Sequence, residues 1–347
     1  MNQVVPFSER ANKMDFRFEF RRYSLAFRHP VRTSRGSWNK REGLYLRIER
    51  SDGTFGLGEA APVPSFGSDS IDEAEAVCSG FGPKVSEEVL SRIPRKLGSL
   101  RNAVAAALGG SVDAPVHASL GVAALLPAGR AALEDGPKKA DIGFRVFKWK
   151  VGVGAPDDER SILDDLIGAL PAGSKLRLDA NGAWDRRTAQ RWMSHAADRP
   201  VEFIEQPLAA DSRGVVDSLS GLAADYPVPI ALDESIVDEG DVEGWLGAGW
   251  PGYYVIKPSL MGDVRVSLGK LAAAGSKVVF SSSLETAMGA HAALRMAFAW
   301  PGQTTALGFG VWPLFEDSRF DGPAAAPFFR SEDVDRIDGE ALWNAAG

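Results

Sequence analysis

The sequence predicts an α/β fold, a closed barrel of parallel strands joined to a smaller α+β domain. Three observations predict it. From about residue 116, short apolar runs alternate with helical patterns, and eight such runs can be counted. Strands alternating with helices imply a parallel sheet, and eight of them suggest closure. Three of the runs end in a carboxylate: Asp179, Glu205 and Asp233, spaced 26 and 28 residues apart. That spacing is about one strand, one helix and two loops, given that a βαβ crossover takes roughly 30 residues. The competing open, doubly wound sheet would want a glycine-rich phosphate turn after its first strand. Gly152-Val153-Gly154 lacks the third glycine at the right spacing.

The elements follow in order. Residues 15–23 and 43–50 alternate apolar and polar side chains, which suits half-buried antiparallel strands, and 53–60 reads as a third. Residues 72–81 and 100–108 read as helices. The eight barrel strands are expected at 117–121, 145–151, 175–179, 201–205, 229–233, 253–257, 277–281 and 305–308. Helical patterns such as 157–170 and 186–197 lie between them. The tail from about Phe315 has no strand partner left in the barrel and is expected to pack back on the first domain. The expected division is 1–113, 114–314 and 315–347.

Composition narrows the function. The chain has 347 residues, enough for a large core and two domains, and is 24% charged. A net charge of −7 argues against a non-specific nucleic-acid binder, which needs a basic face. Cys78 is the sole cysteine, so neither an internal disulfide nor a multi-thiolate metal site can form. No apolar run approaches ~18 residues and residues 1–18 lack a leader-like apolar stretch, so a soluble, cytoplasmic protein with no membrane partner is expected.

In a (β/α) barrel the C-terminal strand ends form the active face. Asp179, Glu205 and Asp233 fall there. One such acid is commonly an N-cap of the next helix. Three in phase, with Asn181 and Glu234 beside them, suit a hard divalent cation with open positions, and Mg2+ is the natural guest. Zinc is disfavoured without histidine or cysteine nearby.

Lysines flank the triad. Lys148 and Lys150, two apart on the second barrel strand, share one face, while Phe147, Trp149 and Val151 point to the covering helices. Lys257 ends the sixth strand, roughly opposite. A cation on a substrate carboxylate makes the α-proton acidic by stabilising the enediolate, and a neutral lysine can remove that proton. Free lysine titrates near ~10.4, so its pKa must fall, through burial and neighbouring cations. The alternative is a snorkelling pair held in salt bridges.

Together, Lys148-x-Lys150, Asp179-Ala180-Asn181, Glu205-Gln206-Pro207, Asp233-Glu234-Ser235 and Lys257-Pro258 resemble the enolase superfamily, muconate-lactonising subgroup. The resemblance covers nearly the whole chain. It implies a modified (β/α)7β barrel of the TIM type, an α+β N-terminal capping domain completed by the C-terminal tail, and Mg2+. Within the subgroup, Arg177-Leu178-Asp179-Ala180-Asn181-Gly182-Ala183-Trp184 and Ser281-Ser282-Ser283-Leu284-Glu285-Thr286 look most like its succinylbenzoate-forming dehydratases. The implied reaction is syn dehydration of 2-succinyl-6-hydroxy-2,4-cyclohexadiene-1-carboxylate in menaquinone biosynthesis.

By resemblance, Lys150 takes the α-proton and returns it to the leaving hydroxide. Lys257 steadies charge on the other face, and Lys148 tunes Lys150. Arg177, Asn181, Ser281, Ser283 and Gly308 are the expected substrate contacts. The cap loops 32–37 and 62–67 are candidates to close the site.

Two alternatives remain open. A racemase of N-succinylamino acids would use the same Lys150 and Lys257 on opposite faces. A barrel that binds without turnover would lack a ligand or lysine, and none is missing. Gly308-Phe309-Gly310-Val311-Trp312 stands where dipeptide epimerases carry Asp-x-Asp, which lowers that reading. His117, His195 and His291 read as structural, and His29 as a remote substrate contact.

Overall fold

The computed structural model describes residues 15–33, 36–109 and 114–346. The N-terminal part is a four-stranded antiparallel sheet ordered Phe55–Ala60, Gly36–Glu49, Asp15–Thr33, Lys84–Ser86. Its first hairpin pairs Phe20 with Leu46, and a bulge interrupts the register between Ala26 and Val31. Alternation puts Phe16, Phe18, Leu44, Leu46 and Ile48 on one face. The helices Ile71–Phe81 and Gly98–Ala107 cover that face. The first starts at Ser70, whose hydroxyl accepts from Glu73 N while Glu73 reaches back to Ser70 N. The second lies so close to the sheet that a Cβ on Gly56 or Gly58 would stand 2.1 or 2.0 Å from the carbonyls of Ala107 and Ala103. Only glycine permits that approach.

Seven parallel strands then run in sequence order: Ala124–Leu126, Val146–Lys150, Lys175–Asp179, Val201–Glu205, Ile230–Leu232, Tyr253–Ile256 and Lys277–Phe280. The seven helices that follow them one by one begin with Ala132–Asp141 and end with Ala287–Phe298. Closure falls to Leu307 and Gly308, which bridge in parallel to Val122 and Ser281. Gly308 N donates to Phe280 O at 2.8 Å, and Ala123 N to Leu307 O at 2.9 Å. The result is the (β/α)7β arrangement. Phe147, Trp149, Leu178, Ile204 and Ile256 join the layer under the helices. Phe203, Ala231, Val255 and Val279 fill the interior.

Two expected strands differ. Residues 117–121 are not the first barrel strand. Ser119–Gly121 pairs antiparallel with Phe328–Arg330 of the tail, with Phe329 opposite Leu120. The barrel opens instead at Ala124–Leu126, a run apolar on both faces, as a buried parallel strand must be. The run 305–308 makes no extended ladder, only the bridges at Leu307 and Gly308. The tail goes on to pack Leu342 and Trp343 against Tyr23, Phe27 and Tyr45 of the cap. No described helix is long and apolar enough to cross a membrane.

Candidate active site

A cavity of about 260 Å3 opens at the C-terminal strand ends, beneath the cap. Lys148 and Lys150 enter it from the second barrel strand, Asp179 and Asn181 from the third, Asp233 from the fifth and Lys257 from the sixth. Ser281, Ser282, Ser283 and Leu284 form one wall with Gly308. Trp38, Val63 and Phe66 come down from the cap. A larger cleft of about 580 Å3 lies at the seam of cap, barrel and tail, around His291 and Arg295. It holds none of the strand-tip carboxylates or lysines.

The strand-borne lysines and the three strand-tip acids are tightly paired, with one exception. Lys148 Nζ lies 2.7 Å from Glu205 Oε1 and 2.9 Å from Asp179 Oδ2. Lys257 Nζ donates to Asp233 Oδ1 and sits 4.6 Å from the centre of the Phe66 ring. Lys150 has no hydrogen-bond or ion-pair partner among the described residues. Burial works against both paired ammonium groups. For Lys148, Asp179, Glu205 and Asp233 outweigh burial, and for Lys257, Asp233 and Glu234 do. Both are therefore held above the ordinary lysine range. The carboxylates drawn to the two ammonium groups are the physical reason.

The acids show the opposite strain. Burial, then repulsion from Asp179 and Asp233, pushes Glu205 up to about 8 despite Lys148. Burial and Asp233 push Glu234 up to about 7. Asp233 stays below its usual range because Lys257 and Lys148 overcome its burial. Four hard oxygen-donor side chains thus crowd one buried region.

Among the described residues, no three His, Cys, Asp or Glu side chains gather into a ready-made metal cluster. Lys148 draws Asp179 and Glu205 to one ammonium, and Lys257 draws Asp233 to another. The donor chemistry nevertheless fits a divalent cation such as Mg2+. The donors are all carboxylate oxygens, and burial together with mutual repulsion makes two of the acids resist ionisation.

The loops that present these groups are specialised. Asn181 and Gln206, next to the third and fourth strand tips, have φ of 44° and 39°, uncommon outside glycine. Asn181 donates Nδ2–H to Glu234 Oε1 at 3.2 Å. Gln206, fully buried, accepts from Asp233 N and Ser235 N and donates to Ser235 Oγ and Leu208 O. It ties the fourth and fifth strand tips together, a role its place in a motif did not reveal.

Of the expected substrate contacts, Asn181, Ser281, Ser283 and Gly308 line the cavity. Arg177, also expected as a contact, does not line it. It points inward one step below Asp179, buried, with Nε 2.6 Å from Glu202 Oε2 and Nη1 2.7 Å from Ala306 O. An arginine that deep needs a carboxylate more than a ligand, and Glu202 supplies it. His29 is exposed and does not line the cavity. His117 is bonded to Trp300 O at 2.8 Å. Cap loop 62–67 reaches the cavity through Val63 and Phe66. The other expected cap loop, 32–37, lies partly outside the described residues. Trp38, just beyond it, was missed because a tryptophan in a strand reads as core.

Comparison with known proteins agrees with this architecture. The Enolase C-terminal domain-like family matches residues 131–327. The o-succinylbenzoate synthase of Thermosynechococcus vestitus is 39% identical over 302 residues, covering 85% of this chain and 92% of its own. That of Thermobifida fusca is 30% identical over 86% of this chain and 83% of its own. The crystal structure of o-succinylbenzoate synthase from Thermosynechococcus elongatus BP-1, complexed with Mg in its active site, superposes with a TM-score of 0.80 at 35% identity, covering 95% of this chain and 99% of that one. The L-Ala-D/L-Glu epimerase of Bacillus subtilis shares the fold, with a TM-score of 0.79 at 20% identity over 92% of this chain and 96% of that one. With its (β/α)7β barrel, its cap and these relatives, the chain belongs to the enolase superfamily and is homologous to o-succinylbenzoate synthase, a lyase of that superfamily.

Proposed function

We propose that the protein is a Mg2+-dependent dehydratase that converts 2-succinyl-6-hydroxy-2,4-cyclohexadiene-1-carboxylate to o-succinylbenzoate, in the cytoplasm, as a step of menaquinone biosynthesis. The observation that carries the reading is Lys150: a lysine in the cavity with no hydrogen-bond or ion-pair partner among the described residues, on a strand whose other inward lysine is fully paired.

Asp179, Glu205 and Asp233 would hold the ion. Bound there, Mg2+ supplies positive charge to the substrate carboxylate and so acidifies the neighbouring C–H. Lys150 accepts that α-proton and delivers it to the departing hydroxide, which leaves as water. One base serving both steps on one face gives a syn elimination. Lys257, from the sixth strand, steadies the negative charge left on the substrate, and Phe66 confines its ammonium from the cap side. Lys148 anchors Asp179 and Glu205. Ser281, Ser283, Gly308 and Asn181 surround the part of the ligand away from the reacting carbon.

The test is a continuous ultraviolet assay for the aromatic product. The reading predicts product formation that stops with EDTA and resumes with added Mg2+. Inversion of N-succinylamino acids with no aromatic product formed would replace it with the racemase reading.

A further inference from the structure

Arg41 is a buried arginine, 3% exposed, in the cap strand Gly36–Glu49. Among the described residues it has no carboxylate partner. Its five N–H donors instead find five backbone carbonyls. Nε donates to Leu284 O at 3.1 Å. Nη1 donates to Pro62 O at 2.6 Å and Glu42 O at 3.4 Å. Nη2 donates to Ala61 O and to Ser283 O, the latter at 3.3 Å.

Two of these carbonyls, Ala61 and Pro62, belong to the cap loop that continues into Val63 and Phe66. Two others, Ser283 and Leu284, belong to the barrel loop that walls the cavity opposite. Val63, Phe66, Ser283 and Leu284 all line it. Leu284 holds a left-handed backbone, φ 63°, which a leucine adopts only where its surroundings impose it.

We propose that Arg41 is a positioning residue that sets the separation of the two cavity walls, and thereby selects ligands by the shape of the end remote from the reacting carbon. This rests on the dehydratase reading of the cavity and adds its specificity device. A planar guanidinium fork fixes several carbonyls at once, whereas the three donors of a lysine radiate from one point. Lysine at this position would keep the charge and lose the geometry.

The test uses R41K and R41A in the full-length enzyme. The proposal expects KM for the cyclohexadiene carboxylate to rise ~10-fold or more in both, with kcat changed less than ~3-fold, because the reacting groups lie elsewhere. Millimolar guanidinium should restore the R41A KM. Hydrogen exchange should speed up at 61–66 and 282–286 together and stay unchanged in the strands Asp15–Thr33 and Lys175–Asp179.

Unchanged KM in folded variants overturns the proposal, as does acceleration spread evenly over the protein. Failure of both variants to fold overturns it too, assigning Arg41 to stability alone. Should the wild type form no aromatic product, the dehydratase reading fails. The exchange pattern still decides whether Arg41 joins the two walls.

Discussion

Lys148 and Lys150 stand two residues apart on one strand face and meet the cavity in opposite states. Lys148 is bound by Asp179 and Glu205 at 2.9 and 2.7 Å, while Lys150 has no ion-pair partner among the described residues. The two lysines of one strand face thus differ in their partners, Lys148 held between two carboxylates and Lys150 open to the cavity.

Lys148→Met should therefore act on the carboxylates. Breaking a buried pair by removing one partner costs ~3–5 kcal/mol. In EDTA the variant should melt well below the wild type. In excess Mg2+ the gap should narrow, because the ion supplies the missing charge. Differential scanning calorimetry in the two buffers decides; an equal gap in both would contradict the pairing.

Glu205 makes stability pH-dependent. Its folded pKa of about 8 lies above the ordinary 4.5 that the unfolded chain returns to. Between those values the native state holds a proton that the unfolded state has released. Stability in EDTA should then fall as pH rises from ~4.5 toward 8, and Glu234 contributes in the same direction up to about 7. Glu205→Gln should flatten the profile, and saturating Mg2+, which favours the ionised form, should do so too. Melting curves at pH 6 and 8 test the sign, and a rise with pH in EDTA that depends on Glu205 would refute it.

Much of this site was legible in the chain. Strand tips announce themselves because an apolar run ending in an acid repeats at the length of a βα unit, as at Asp179, Glu205 and Asp233. Period-two alternation likewise separates Lys148 and Lys150 from Phe147, Trp149 and Val151. What was not legible depends on meetings across the fold. Arg177 shares its strand face with Asp179 but sits a layer deeper, and only Glu202 and Ala306 reveal that depth. Residues 117–121 look like a barrel strand until Phe328–Arg330, some two hundred residues later, takes their hydrogen bonds. Trp38 and Arg41 carry no local signal, since the carbonyls and the cavity they meet lie on distant loops.

Phe66 covers Lys257 from the cap at 4.6 Å. A cation–π contact contributes ~0.5–2 kcal/mol, so Phe66→Ala should lower kcat/KM by ~3- to 30-fold. The ring is only half-buried, so the melting temperature should barely move. Steady-state kinetics with a melting curve checks both. An unchanged kcat/KM would remove Phe66 from the account.

Glu59 locks the cap to the last barrel helix. Fully buried, it accepts from Thr286 N at 3.0 Å, Thr286 Oγ1 at 2.6 Å and Gly289 N at 2.7 Å, at the start of Ala287–Phe298, and from the Tyr23 hydroxyl. Glu59→Ala leaves these donors buried without an acceptor, at ~1–3 kcal/mol each. Urea denaturation should show a loss of at least ~3 kcal/mol. A change under ~1 kcal/mol would contradict the contact.

The most direct measurement is the rate of aromatic product formation by Lys150→Ala, set beside its Mg2+ affinity from calorimetric titration. General acid–base catalysis contributes typically ~10^2- to 10^4-fold, and here one group serves twice. The account predicts a rate at least ~10^3-fold below wild type with Mg2+ binding intact. Wild-type turnover in that variant would contradict it.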